Sequence, residues 1–391
     1  MPLAVEKLTR HRDRAMASFI IDDVFGTTPG DADAYKRFSE WVEHAGLRGE
    51  ASALLGYKRS ENGRALPTDP GFAAEVARAS HGHLDAFMEV MSHQHLYDFA
   101  ADRMTTSGPH EGVWMLDVTR EVDEYLSYFE NIARRAQSLG FRHAGLTIPG
   151  CGCAACVDFK KRNHVQVNAG RMNPNVYQAL LKLLKAGQLE GLVCGLFIGA
   201  VGEGPADVAM QIEDGAHAVY DIPPGVRGDH FGRWDNDPQY IKLDHYLSAD
   251  GRSGRLPELL AQGSRTLIYY GHWQSLRPDS GVGFAGFQEI AARLKKYFAS
   301  EIVWMRPTEI AAFRHTERHT QVRSINSGRA FSLAIPFAPL HALTFRVRGS
   351  AKLKLRSPSG VELAPREAFP GEACALFEFL PENGRYEILE A

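Results

Sequence analysis

The run Ser18-Phe19-Ile20-Ile21-Asp22-Asp23-Val24-Phe25-Gly26 restricts this chain more than any other stretch, because apolar residues lead directly into two adjacent carboxylates and a glycine closes the run. Such a run suits a strand covered on both faces. Two acids in that interior are costly unless they are paired or bind a cation, so the strand reads as one that delivers carboxylates to a site at its end. Successive strand residues face opposite sides, so one Asp can hold a metal while its neighbour faces an attacking water. The plainer reading has Asp23 or Asp31 capping the helix that follows. Residue type alone does not separate the two.

Beyond this strand, helix-like and strand-like runs alternate. Residues 31–46 carry Tyr35, Phe38, Trp41 and Val42 on one face between an Asp and a glycine, which predicts a helix. Strands are expected at 51–56 and 86–91 with a helix at 71–78 between them, and a strongly periodic helix at 121–139 feeds a strand at 141–148. A helix at 175–186, strands at 192–201 and 216–222, a strand at 266–270, a helix at 283–298, a strand at 301–305 and a helix at 307–314 continue the pattern. The intervening stretch 223–255 has no clean period and is long enough to be a loop that covers a site. About eight strands separated mostly by helices predict an α/β chain, a deformed (β/α)7-8 barrel. From about residue 321 the runs become short and alternating, with Pro-Ser-Gly and Glu-Asn-Gly turns, which predicts a small C-terminal antiparallel β module. The expected division is an N-terminal extension over 1–17, a barrel over 18–320 and a small β-sandwich-like module over 321–391.

A chain of 391 residues exceeds one typical domain. A net charge of −3 leaves no electrostatic footprint for nucleic acid or an anionic membrane, so the expected partner is small, and a homo-oligomer is compatible with this surface. No window of eighteen apolar residues predicts a membrane span, and residues 1–14 lack the apolar core of a signal peptide, which places the chain as written in the cytoplasm, or outside it if a leader has been removed. Five cysteines, three of them Cys151, Cys153 and Cys156, do not form a secreted disulfide pattern. With Cys194 they could hold a structural Zn²⁺, against the simpler reading of free buried thiols. The glycines of 199–204 lack the Lys-Ser/Thr ending of a phosphate loop.

Residues of metal-site type fall at successive strand ends: Asp22 and Asp23 at the first, His93 and His95 at the third, His272 near the last. In a barrel these ends converge, so a carboxylate and imidazoles from distant positions could share one divalent ion, Zn²⁺ being the expected one. Such an ion lowers the pKa of bound water to about 7 and polarises a carbonyl, as amide or ester hydrolysis requires. Asp22 is then the base. His81, His83 and His110 read first as surface or satisfied histidines, although His110 with Glu111 could line the mouth. Trp234, with Phe231 and Tyr240, could stack on a sugar ring or pin the long loop.

Phe19-Ile20-Ile21-Asp22-Asp23, Met91-Ser92-His93, Thr147-Ile148-Pro149-Gly150, His272-Trp273 and Val303-Trp304-Met305-Arg306-Pro307-Thr308-Glu309-Ile310 resemble, in order, the motifs of the polysaccharide deacetylase superfamily, carbohydrate esterase family four, over residues 18 to 314. The resemblance implies a deformed barrel and a metal-dependent hydrolase that removes an acyl group from an amino sugar or similar acylated carbohydrate. It implies Asp22 as general base, His272 as general acid and Asp23 and His93 as metal ligands. The second motif histidine is replaced by Tyr97, which leaves Asp98 as the third ligand with His95 as its substitute, and the motif arginine is Thr147. Pro149, Trp234, Trp273 and His110 would line the substrate site. Two other readings stand beside it: a non-catalytic carbohydrate-binding protein on a decayed barrel, and a glycosidase on a related barrel using Asp22 with Glu111 or another acid, whose mark would be two carboxyls about 5 to 10 Å apart.

Overall fold

The apolar run at Ser18 is a strand, as the sequence predicts, and a longer one: β1 (Ala15–Val24) is buried throughout except at Asp22. It belongs to a computed structural model that describes residues 3–106, 109–148, 172–197, 206–227, 232–325 and 329–390. Helix α1 (Pro29–Ala45) starts two residues before the expected Asp31 because Thr28 is its N-cap. The Thr28 side chain accepts from the Asp31 N–H and the Asp31 carboxylate accepts from the Thr28 N–H, a capping box with proline in the first turn. Gly46 ends it at φ 72°, a left-handed conformation that glycine adopts without strain.

The chain continues through β2 (Gly49–Ala53), α2 (Pro70–Ser80), β3 (Leu84–Met88), α3 (Val122–Ser138), β4 (Gly145–Thr147), α4 (Pro174–Lys185), β5 (Val193–Phe197), β6 (Ala209–Asp214), β7 (His217–Asp221), β8 (Val226–Arg227), β9 (Thr266–His272), α5 (Phe284–Phe298) and β10 (Ile302–Trp304). These strands form one curled sheet in the order β8, β9, β1, β2, β3, β4, β5, β7, β6, with β10 also paired to β1. The neighbours from β1 through β5 and on to β7 run parallel, and β6 is an antiparallel edge strand beside β7. The architecture is therefore an open α/β half-barrel, the deformed barrel that strand and helix alternation predicts. Glycines inside β4 and β5 make room for one ring. A Cβ on Gly145 would stand 2.6 Å from the Phe87 ring, and one on Gly195 only 2.4 Å from it.

By its contacts the chain divides into two units, residues 17–299 with 304–308, and residues 1–16, 300–303 and 309–391. In the first, Phe19 meets Phe287 edge-on at 5.2 Å, and Phe38 meets Trp273 at 5.6 Å. The second unit holds two antiparallel sheets. One is ordered Ala4–Lys7, Leu343–Arg348, Cys374–Phe379, Glu367–Phe369, and the other Gln321–Ile325, Ala330–Ala334, Gly384–Glu390, Leu353–Arg356, Glu362–Leu363. Phe331 and Phe345 join them with ring centroids 6.1 Å apart. The first residues, expected as an extension, thus supply an edge strand to the C-terminal module. No helix among the described residues is long and apolar enough to cross a membrane.

Candidate active site

The acids of β1 sit where the register of the sheet breaks. Ile21 stands opposite Ala51 but Val24 opposite Ala53, so one extra residue is taken up at Asp22 and Asp23. Asp23 turns into the left-handed region at φ 62°. A bulge of this kind re-aims a side chain. Here it sets the Asp23 backbone N–H on Glu89 Oε2 at 2.6 Å, Glu89 being the first residue past β3. His93 Nε2 lies 3.5 Å from Asp23 Oδ1 and 3.4 Å from Glu89 Oε1. One oxygen of each acid and a ring nitrogen of His93 all lie within 4.8 Å of one another. Gln274 donates to the other Asp23 oxygen at 3.1 Å and also hydrogen-bonds Tyr57, whose ring stacks on Phe25.

Asp23 is 5% exposed and Glu89 1%. Burial pushes the Glu89 carboxyl well above the ordinary carboxylate range, and the charges of Asp23 and Asp22 push it further. Both effects favour the neutral acid at Glu89. Asp23 Oδ1 and Glu89 Oε1 have no hydrogen-bond partner among the described residues, and both face His93. On β2, burial holds Glu50 well above its ordinary value against a 2.6 Å hydrogen bond from Ser52, and Asp22 and Asp85 add to the shift. The charge of Asp22 thus helps raise both buried carboxyls, Glu50 and Glu89.

The other residues expected at the site are placed elsewhere. Asp98 is exposed and its Oδ1 accepts the N–H groups of Ala100 and Ala101 at 3.0 and 2.9 Å, a local turn. His95 forms an isolated bridge with His110, and its carbonyl accepts from Ser92 Oγ. The acid that joins Asp23 and His93 is Glu89. Trp273 is fully buried between Tyr35 and Phe38, so it is core and not a sugar platform. His272 ends β9 with both its N–H and its Nδ1 on the Gly232 carbonyl, at 2.6 and 3.0 Å, which anchors the segment leading to Trp234. Trp234 itself is 60% exposed, next to Arg233, whose guanidinium lies 3.6 Å over the Tyr240 ring. His110 Nε2 lies 2.9 Å from the His93 carbonyl, and burial together with the nearby His93 holds the His110 imidazole down at about 4. Glu111 accepts from Met91, Ser92 and Tyr128, all on the segment and helix around it. Pro149, Cys151, Cys153 and Cys156 lie outside the described residues, and Cys194 is buried in β5.

Glu89 carried the same signal as Asp22 and Asp23, a carboxylate ending an apolar run, and it lies four residues before His93. Gln274, an amide on a short helical turn, carried none.

No protein-family model matches the chain, and no curated protein matches it. Solved structures do align. A glycoside hydrolase family 30 subfamily 8 xylanase from Clostridium acetobutylicum is 10% identical over 98% of this chain and 97% of its own, with a TM-score of 0.29. A Cellulomonas fimi endo-β-1,4-mannanase double mutant is 11% identical over 95% and 90%, at 0.36. Endo-glycoceramidase II from Rhodococcus sp. is 9% identical over 99% and 100%, at 0.34. Likeness at this level assigns no residue and no activity to the chain. The resemblance to the polysaccharide deacetylase superfamily is nevertheless overturned: no model of that family or any other matches the chain, no curated protein matches it, and the acid beside Asp23 and His93 is Glu89 rather than Asp98. The metal-dependent deacetylase reading falls with it.

Proposed function

We propose that the protein is a carbohydrate-processing hydrolase that cleaves a glycosidic bond at the Asp23 and Glu89 pair. One observation carries the reading: two buried carboxyls have oxygens within 4.8 Å of each other at the strand ends, and burial favours the neutral form of one of them, Glu89. Glycosidases that retain anomeric configuration place their two carboxyls about 5 Å apart, one as nucleophile and one as proton donor. In that scheme Glu89 gives its proton to the leaving oxygen as Asp23 attacks the anomeric carbon. Glu89 then takes a proton from the water that releases the sugar from Asp23. Gln274 orients the nucleophile through its 3.1 Å bond, and the exposed Trp234 supplies a face on which a sugar ring stacks. On a panel of aryl glycosides, Glu89→Gln and Asp23→Asn should each lower kcat by about 10²–10⁴ while melting as wild type does. Near wild-type turnover in either variant removes the proposal.

A second reading rests on the unpartnered Asp23 Oδ1 and Glu89 Oε1, which face His93. Two carboxylate oxygens and an imidazole are a fitting donor set for a divalent ion such as Zn²⁺, held by Asp23, Glu89 and His93 and displacing the Glu89 proton. A bound ion would supply Lewis acidity at the rim. Calorimetric titration with Zn²⁺ in buffers of different ionisation enthalpy tests it: binding with proton release supports the ion. Absence of binding, with turnover unchanged in excess EDTA, rules it out.

A further inference from the structure

Val90 and His93 both adopt left-handed backbone conformations, at φ 51° and 56°. For a β-branched residue such as Val90 this is a true outlier, and each such residue costs on the order of 1–3 kcal/mol, so the segment keeps its shape only if its surroundings impose it. The surroundings that do so are two consecutive residues from the start of the short helix Glu111–Trp114. Glu111 Oε1 accepts the Met91 N–H at 3.0 Å, and Oε2 accepts the Ser92 N–H at 3.0 Å and the Ser92 hydroxyl at 3.1 Å. The Glu111 N–H donates to the Gln94 carbonyl at 2.7 Å. His110 Nδ1 accepts the Gly112 N–H at 3.1 Å, which leaves the proton on Nε2 to donate to the His93 carbonyl at 2.9 Å. Tyr128 completes the brace: its hydroxyl donates to Glu111 and accepts the Tyr97 N–H. Residues 91 to 94 are therefore gripped at Met91, Ser92, His93 and Gln94, each contact falling within two residues of His93.

We infer that His110 and Glu111 are positioning residues which hold the strained 90–94 turn so that the His93 ring faces Asp23 and Glu89. The inference rests on the reading of that cluster as the working centre, but its geometric content stands apart from which bond is cleaved. Glu111 is completely buried, and the Met91 N–H and the Tyr128 hydroxyl donate to one of its oxygens and the Ser92 N–H to the other, so an acceptor is needed at both. A glutamine there would oppose an N–H₂ group to one set of donors.

Two variants test this. Glu111→Gln keeps the shape and inverts half the hydrogen bonding, whereas His110→Asn keeps a side chain able to cap Gly112 but too short to reach the His93 carbonyl. In ¹³C-histidine-labelled protein, the ring signals of His93 should shift or broaden in both variants, while those of His11, in the other unit, stay in place. On any glycoside the wild type turns over, kcat should fall at least about tenfold with KM unchanged, as expected when a group at the chemistry is displaced by an ångström or so. If Glu111→Gln fails to fold, His110→Asn alone decides. Unchanged His93 signals in His110→Asn overturn the inference, whatever happens to kcat. Displaced His93 signals in a protein that hydrolyses no glycoside uphold the positioning and remove only the glycoside-cleaving reading.

Discussion

A carboxyl at the end of a buried strand must keep its proton or find a partner. Glu89 does the first and Asp23 the second, through Gln274. Asp22, Asp23 and His93 were legible because polar side chains interrupt apolar runs there. Asp98 and Trp273 were misread because sequence spacing does not say which way a loop residue points or how deep a ring sits. Glu50 makes the electrostatic argument testable away from the reacting groups. Its carboxyl binds a proton more tightly folded than unfolded, so as pH rises above the ordinary carboxylate range the unfolded chain loses that proton first. Stability then declines until the folded carboxyl ionises as well. Glu50→Gln removes this decline, so the melting temperature of the variant relative to wild type should rise as pH is taken upward from about 4 through the neutral range. A difference that stays constant across that range would mean Glu50 is ionised in the folded protein.

Most elements followed from periodicity and punctuation: the apolar face of α1, its glycine stop, the long periodic α3. What periodicity could not give was pairing. β6 was missed because Ala209–Asp214 alternates exposed and half-buried residues as an edge strand does, and its meaning depends on β7 beside it. The strand Ala4–Lys7 was missed for a similar reason, its partner Leu343–Arg348 being at the far end of the chain. The bulge at Asp22 and Asp23 is likewise a property of two strands. Gly145 and Gly195 are visible in the sequence, but their cause, the Phe87 ring, is not. Gly195→Ala forces a Cβ into that ring and should cost about 1–3 kcal/mol. Adding Phe87→Leu should recover part of the loss, since residues in contact are not additive. Chemical denaturation of the two single variants and the double measures this, and strictly additive losses would show that the ring does not set the need for glycine.

At the scale of the whole chain, the two units differ in how directly their residues announce them. The C-terminal module is two short antiparallel sheets whose turns announce it, and no functional cluster is assigned to it. The half-barrel is where residues 23, 89, 93 and 274 meet, brought together by strands whose ends share one rim. That convergence was expected from the alternation of strand and helix, while the chemistry first attached to it was not supported. The central claim is that this rim cleaves glycosides through Asp23, and the most direct measurement is to trap the intermediate. The protein should be incubated with a panel of 2-deoxy-2-fluoro glycosides carrying good leaving groups and its peptides mapped by mass spectrometry. A single sugar adduct on Asp23, slow or absent in Glu89→Gln, is the expected result. An adduct on another carboxylate, or none from any sugar that the protein hydrolyses, would contradict it.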